Sequence, residues 1–281
     1  MTEIMKIGII ALITDEGMGP VRLAQELEQR GFSSMFAAEH THIPYLRETP
    51  YPGGGTLPSP YYRTLDPFVA LASAAAVTTQ IRLGTGIALA AQRHPILMAK
   101  EVASLDFISN GRLILGVGAG WNREEMRNHG VDPAARMAVL REHVLAMKSI
   151  WANERSSFNG HHVTFQAICS WPKTDQKPHP PILMGGSSAT SVEFALNYCN
   201  GWMPIYNAED GPLLKQIADL CGMNSGSRGS EFKVIACGVP PEARAIRFLA
   251  ESGVDEILIK PRALSVDDSL FELDRIASLI N

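Results

Sequence analysis

The sequence predicts an α/β fold, a (β/α)8 TIM barrel with an excursion between helix 4 and strand 5. Three observations carry this expectation. Short β-rich runs alternate with longer segments of helical periodicity, the order that yields parallel strands joined by helical crossovers. Eight strand–helix units fit into the 281 residues, and a barrel of this kind takes about 250. An open doubly wound sheet would instead carry GxGxxG after its first strand. Here that turn reads Ala11-Leu12-Ile13-Thr14-Asp15, and the cluster Gly116-Val117-Gly118-Ala119-Gly120 has Trp121 in place of the third fingerprint glycine.

Lys6–Ile10 is the first predicted strand. Gly19–Arg30 follows with Val21, Leu23, Ala24 and Leu27 at helical spacing, and Gly31 ends it as a C-terminal cap. Ser34–Ala38 is strand two, and a loop rich in Pro, Gly and Tyr runs from Thr41 to Thr64. Asp66 and Pro67 supply an N-cap and a first-turn proline for a helix over Phe68–Thr78. Ile81–Ala88 is strand three and Pro95–Ile108 the next helix. Ser109-Asn110-Gly111 turns the chain into strand four, Leu113–Val117, and Ala134–Trp151 forms a long amphipathic helix. Ala152–Pro180 breaks the rhythm: it is polar, rich in His and Pro, and has one short β-like piece at His162–Phe165. This excursion, residues 152–180, is predicted to leave the barrel. Ile182–Met184, Gly201–Ile205, Phe232–Cys237 and Glu256–Ile259 complete the strands, and Val266–Ile280 closes the chain as a helix. No fixed-period repeat is visible, so residues 1–281 read as a single domain.

Composition narrows the function. A net charge of −4 argues against a nucleic-acid surface, which needs clustered Lys and Arg. The amino terminus lacks a basic leader and a cleavage site. The most apolar helix-like stretch, Phe68–Val77, is far short of the roughly 20 residues that span a bilayer. Cys169, Cys199, Cys221 and Cys237 lie far apart without a CxxC pair, as free thiols do. The expectation is a cytoplasmic protein with no membrane or nucleic-acid partner.

In such a barrel the active site lies at the carboxyl ends of the strands. Glu39-His40 leaves strand two, and a carboxylate beside an imidazole can manage a proton near neutral pH. His40 and His42 also form an HxH pair, a zinc arrangement when other strands add ligands. Strands five, six and eight end in Met184-Gly185-Gly186, Met203-Pro204 and Lys260-Pro261, which offer none, so no metal is expected. His161, His162 and His179 read as surface residues. Gly84-Thr85-Gly86-Ile87 places glycines inside strand three, the mark of a close approach by another molecule or of a tightly packed wall. Gly116, Gly118 and Gly120 strip one face of strand four, which leaves room for a flat ring or for packing. Gly185-Gly186-Ser187-Ser188 opens a helix and suits a phosphate, although Ser188 or Thr190 can equally cap it. Arg93 can meet an anion or anchor the turn into the next helix.

In this order the segments resemble the luciferase-like monooxygenase superfamily, and within it the branch that uses the deazaflavin coenzyme F420. The resemblance rests on Phe36-Ala37-Ala38-Glu39-His40, Ile81-Arg82-Leu83-Gly84-Thr85-Gly86-Ile87 and Gln92-Arg93-His94-Pro95. It continues through Leu105–Leu113, Gly116–Trp121, Phe158-Asn159-Gly160, Pro181–Ser187 and Gly201–Pro204, nearly the whole chain. It implies a cofactor ring over strands two to four, held by Thr85, Gly86, Ile87, Gly118, Ala119 and Gly120. The phosphate tail would lie near Gly185, Gly186, Ser187 and Ser188, and a non-proline cis peptide at or beside Gly86–Ile87. Relatives that oxidise sugar phosphates keep a glutamate where this chain has Trp121, which points to a more apolar or planar substrate.

The implied activity is hydride transfer between F420 and a small organic substrate, with His40 as proton donor or acceptor, oriented by Glu39. Trp121 and Tyr45 are expected in the substrate pocket. Two alternatives stay open: a monooxygenase using reduced FMN from a separate reductase, and a non-enzymatic flavin-binding protein. The resemblance also implies a homodimer, for which the Ala-rich helix Phe68–Val77 is the expected contact.

Overall fold

The structure, a computed structural model, describes residues 5–224, 232–261 and 266–279. The chain runs β1 (Lys6–Ala11), α1 (Pro20–Gln29), β2 (Ser34–Ala37), a 3-10 turn (Ser59–Tyr62), α2 (Pro67–Ala75), β3 (Arg82–Thr85) and α3 (Pro95–Ile108). It continues through β4 (Leu113–Val117), α4 (Arg123–Asn128), α5 (Arg136–Ala152), β5 (Ser156–Asn159), β6 (Thr164–Ile168), β7 (Ile182–Gly185) and α6 (Ala189–Tyr198). Then come β8 (Gly201–Met203), α7 (Gly211–Asn224), β9 (Lys233–Val239), α8 (Ala243–Glu251), β10 (Glu256–Ile259) and α9 (Val266–Ala277). The strands close in the order β1-β10-β9-β8-β7-β4-β3-β2, and β5 and β6 form a separate pair. Every pairing around the ring is parallel, so this is the expected (β/α)8 barrel.

Local chemistry sets several boundaries where the sequence placed them. Asp66 Oδ1 accepts from the amides of Phe68 and Val69 ahead of Pro67, which starts α2 at a cap and a first-turn proline. Asn110 and Gly111 turn in the left-handed region, φ 54° and 72°, and so redirect the chain from α3 into β4.

Side chains alternate across each strand, which divides the core into two layers. Ile9, Met35, Leu83 and Leu115 face the surrounding helices. Ile10, Phe36, Ile114, Leu183, Met203, Ile235 and Leu258 fill the barrel interior. Gly84 belongs to this packing: a Cβ there would meet the Phe36 ring at 2.3 Å.

Three local features differ from expectation. β3 stops at Thr85, short of the expected Ala88, which pairs with Val117 only as an isolated bridge; the Gly86–Ile87 peptide between them is cis, as the resemblance implied. The excursion contains an antiparallel hairpin, β5 with β6, rather than one β-like piece. α4 is an additional helix. Ile280, the expected end of the last helix, and residues 1–4 lie outside the described residues. Among the described residues no helix is long and apolar enough to cross a membrane, and all four cysteines are free.

Glu142 on α5 ties the hairpin to the barrel. Its carboxylate accepts from the amides of His161, His162 and Val163 at 2.9, 2.6 and 3.0 Å. Gly160 permits this approach, since a Cβ there would fall 2.2 Å from Glu142 Oε2. Burial alone would raise the Glu142 carboxyl, but the three amides outweigh it and hold the group below its ordinary value. Stability from such a group is present above the unfolded carboxyl pKa and is lost as pH falls through the lowered folded value. Glu142→Gln should therefore cost about 1.5–3 kcal/mol near neutral pH. In urea titrations the gap to wild type should close below about pH 4. A gap that does not change with pH would contradict this account.

Candidate active site at the barrel mouth

His40 follows β2 at the carboxyl end of the barrel, and its side chain is buried. Its Nδ1–H donates to Glu125 Oε2 at 2.7 Å. Its Nε2 accepts from the Trp121 indole N–H at 3.2 Å. An indole nitrogen only donates and a carboxylate only accepts, so the two partners fix a neutral imidazole with the lone pair on Nε2. A proton reaching Nε2 would replace the indole contact, and Glu125 would stabilise the resulting cation through Nδ1.

Glu125 comes from α4, which the periodicity reading passed over. The helix starts at Asn122, whose Oδ1 accepts from the Glu125 amide at 3.2 Å, with Glu124 and Glu125 in its first turn. An asparagine cap followed by acidic residues is a legible helix start. Six residues are simply too few for an apolar period to show. Glu125 is completely buried, and Oε1 accepts from the Thr41 amide at 3.1 Å.

The expected pairing of Glu39 with His40 does not occur. Glu39 Oε2 accepts from the Leu89 amide at 2.6 Å and Oε1 from Arg93 Nε at 2.7 Å. Successive residues along an extended chain point to opposite sides, so His40 faces the mouth while Glu39 faces Arg93. Arg93 also meets Asp66 and Glu101, and its guanidinium lies 4.9 Å over the Phe68 ring. Burial opposes the Arg93 charge, but Glu39 and Asp66 outweigh it and push its pKa upward. Arg93 thus anchors the wall between α2 and α3.

The glycines at the mouth make room for the protein's own atoms. A Cβ on Gly116 would sit 2.1 Å from the Thr85 carbonyl oxygen, and one on Gly86 2.6 Å from Ile10 Cδ1. Gly118 and Gly185 both face Ile87: a Cβ on either would fall 2.3 or 2.5 Å from one of its methyl groups. The strand-four face is therefore not an open bed: Ile87 fills it. The Thr85 hydroxyl donates to the Gly116 carbonyl at 2.7 Å and is fully buried. Ser188 caps α6 by accepting from the Ser191 amide at 3.2 Å, so of the two candidate caps it is Ser188 and not Thr190 that serves. Ser187 Oγ ties to Ile205 through its amide at 3.0 Å and its carbonyl at 3.2 Å. Ala119 is buried, while Gly86, Ile87, Gly120 and Gly185–Ser187 keep part of their surface open.

Sequence reasoning missed Gln92. Its amide is buried, and both its nitrogen and its oxygen lack a hydrogen-bond partner. A Cβ on Gly120 would lie 2.7 Å from Gln92 Nε2, which places the amide beside the glycine that precedes Trp121. A buried amide with both functions unused fits a heteroaromatic edge that both donates and accepts. Together with the part-open Ile87 and its glycine neighbours, it suits a flat ring with a polar rim.

Tyr45 stands wholly exposed and takes no part in the pocket. Two other tyrosines of the same loop reach the site. The Tyr61 ring lies 5.5 Å from His40 and Tyr51 lies 6.0 Å from Trp121, centroid to centroid, while their hydroxyls meet at 3.1 Å. Burial, with Tyr51 beside it, pushes the Tyr61 phenol above its ordinary pKa, so it stays neutral. Tyr61 also lines a cavity of about 730 Å³ between the loop after β1 and Lys260, a volume in the range of small-molecule sites.

A family model described as luciferase-like monooxygenase matches residues 15–239. An uncharacterised protein of Mycobacterium tuberculosis is 36% identical over 279 residues, 98% of each chain. The oxygenase component of a flavin-dependent trigonelline monooxygenase from Acinetobacter baylyi is 38% identical over 138 residues, covering 48% of this chain and 38% of that protein. An F420-dependent hydroxymycolic acid dehydrogenase of M. tuberculosis is 28% identical over 183 residues, 64% of this chain and 47% of that one. Among solved structures, a monooxygenase of Streptomyces bottropensis matches with a TM-score of 0.73 at 24% identity over 98% of both chains. An F420-dependent secondary alcohol dehydrogenase matches with a TM-score of 0.73 at 16% identity, over 99% of this chain and 100% of that one. The structural likenesses speak to the fold, and the named relatives include both deazaflavin and flavin enzymes. With the matched span running from the loop after β1 to the end of β9, this chain belongs to the luciferase-like monooxygenase family.

Proposed function

We propose that this protein is an oxidoreductase that moves hydride between the deazaflavin F420 and a small organic substrate at the barrel mouth. The observation that carries this reading is His40, a neutral imidazole held by Glu125 with its Nε2 lone pair beside Trp121. Hydride transfer between an alcohol and a carbonyl needs a partner for the hydroxyl proton, and Nε2 is suited to take or return it. The cofactor, when bound, supplies the two-electron chemistry. Part-open Ile87 and Gly120 would give it apolar support, Gln92 would meet its polar rim, and Gly185–Ser188 would hold its phosphate. Trp121, Tyr51 and Tyr61 shape the substrate side. Glu125 is the positioning residue, and Glu39 supports the wall.

A second reading, oxygen chemistry with reduced FMN delivered by a separate reductase, is favoured by the likeness to the trigonelline monooxygenase component. Parallel fluorescence titrations with F420 and FMN separate the two. The deazaflavin reading expects F420 to bind at least about tenfold tighter, a difference of roughly 1.4 kcal/mol. Preference for FMN would overturn it. We also propose a homodimer, supported by the exposed apolar side chains of Val69 on α2 and Leu97 on α3.

A further inference from the structure

A second group of imidazoles gathers just outside the mouth. Glu125 and His129 are four residues apart at α4 and its C-terminal end, a spacing that places side chains on one helical face. His42 approaches from the loop after β2, with its ring 5.4 Å from that of His129, centroid to centroid. One ligating atom from each of His42, Glu125 and His129 lies within 4.8 Å of the other two.

The nitrogens already converge. His42 Nδ1 and His129 Nε2 meet the same atom, Thr41 Oγ1, at 2.9 and 2.7 Å. The hydroxyl can donate to one ring while accepting an N–H from the other; His42 Nε2 accepts from the Asn128 amide at 2.9 Å, so Nδ1 carries the ring proton and a cation would displace it. Glu125 brings a fully buried carboxylate that accepts a hydrogen bond from the neutral His40, and among the described residues no Lys or Arg pairs with it. Oε2 holds His40, whereas Oε1 faces Thr41 on the side of the two rings.

We propose that His42, Glu125 and His129 form a site for one divalent cation of the zinc class. Two imidazoles and one carboxylate suit such borderline ions better than magnesium or calcium, which prefer all-oxygen shells. Bonds of about 2.0–2.2 Å require the three groups to draw inward. His42 is part-exposed and His129 exposed, so both rings can turn. The cation lies on Glu125 Oε1, with Thr41 Oγ1 or solvent completing the shell. The HxH pair therefore divides: His40 serves the mouth and His42 the cation. The further ligands come from α4, not from the other strand ends.

The test is a Zn²⁺ titration of the chelator-treated full chain by calorimetry, with competition against a chromophoric chelator. The expected result is one equivalent bound with Kd below about 10 μM, weakened at least about tenfold in His42→Ala and in His129→Ala. Equimolar Mg²⁺ should not displace it. The double variant of His161 and His162, an exposed pair whose ring centroids are 4.7 Å apart, should bind as wild type does. No saturable binding overturns the proposal. So does binding that survives both single variants, or that disappears in the His161/His162 variant.

Discussion

Replacing Arg93 with methionine should lower the free energy of unfolding by about 3–5 kcal/mol, the cost of leaving a buried charge without its partner. The methionine keeps most of the apolar stem over Phe68 but removes the guanidinium. Glu39, with a side chain only 1% exposed, would then have the Leu89 amide and no cation. Glu101, already raised mainly by burial, would lose the charge that opposes that rise. Asp66 would keep its cap of α2, so the helix should persist while the wall it shares with α3 loosens. Urea unfolding monitored by tryptophan fluorescence reads the change. A loss below about 1 kcal/mol, the range of exposed ion pairs, would mean that the cluster is a surface network.

His40→Ala should fold and bind cofactor yet lose about 100-fold or more in turnover, the usual contribution of a positioned acid–base group. Following F420 absorbance with a panel of small alcohols measures this. Glu125→Gln keeps an acceptor for Nδ1–H without the charge, so it should lose turnover in the same sense but less steeply. Glu39→Gln should act on stability and leave turnover per folded molecule almost unchanged. This contrast separates the two carboxylates, because only one of them touches His40. Full turnover in His40→Ala would remove the imidazole from the chemistry.

The frame of the molecule was legible because its signals are local. The cap at Asp66-Pro67, the turn at Asn110-Gly111 and the alternation of apolar runs each depend on a few neighbouring residues. The candidate site was legible as a place but not as a set of partnerships. His40 and Trp121 were singled out and are in contact, whereas Glu39 was joined to His40 only because it precedes it in sequence. Glu125 lies 85 positions further on, in a helix of six residues. Gln92 lies in a motif that carries the resemblance, but nothing in the sequence gives it a role, since an amide is conspicuous only once it is buried and unpaired. The glycines marked close approach correctly but not what approaches: Phe36 at Gly84, Ile87 at Gly118 and Gly185. Tyr45 and Tyr61 share one loop and one chemistry, and only the path of the backbone decides which of them turns inward.

Ile87 carries a consequence for how this scaffold could be diversified. One side chain occupies the space left free by Gly118, just past β4, and by Gly185, the last residue of β7. Its volume therefore acts as a single adjustable wedge for the floor of the mouth. Valine or alanine at this position would deepen the floor on both sides at once, and a bulkier residue could extend only toward the part-open mouth. Re-tooling for larger or smaller ligands can thus begin at one codon, with the eight-stranded frame left as it is.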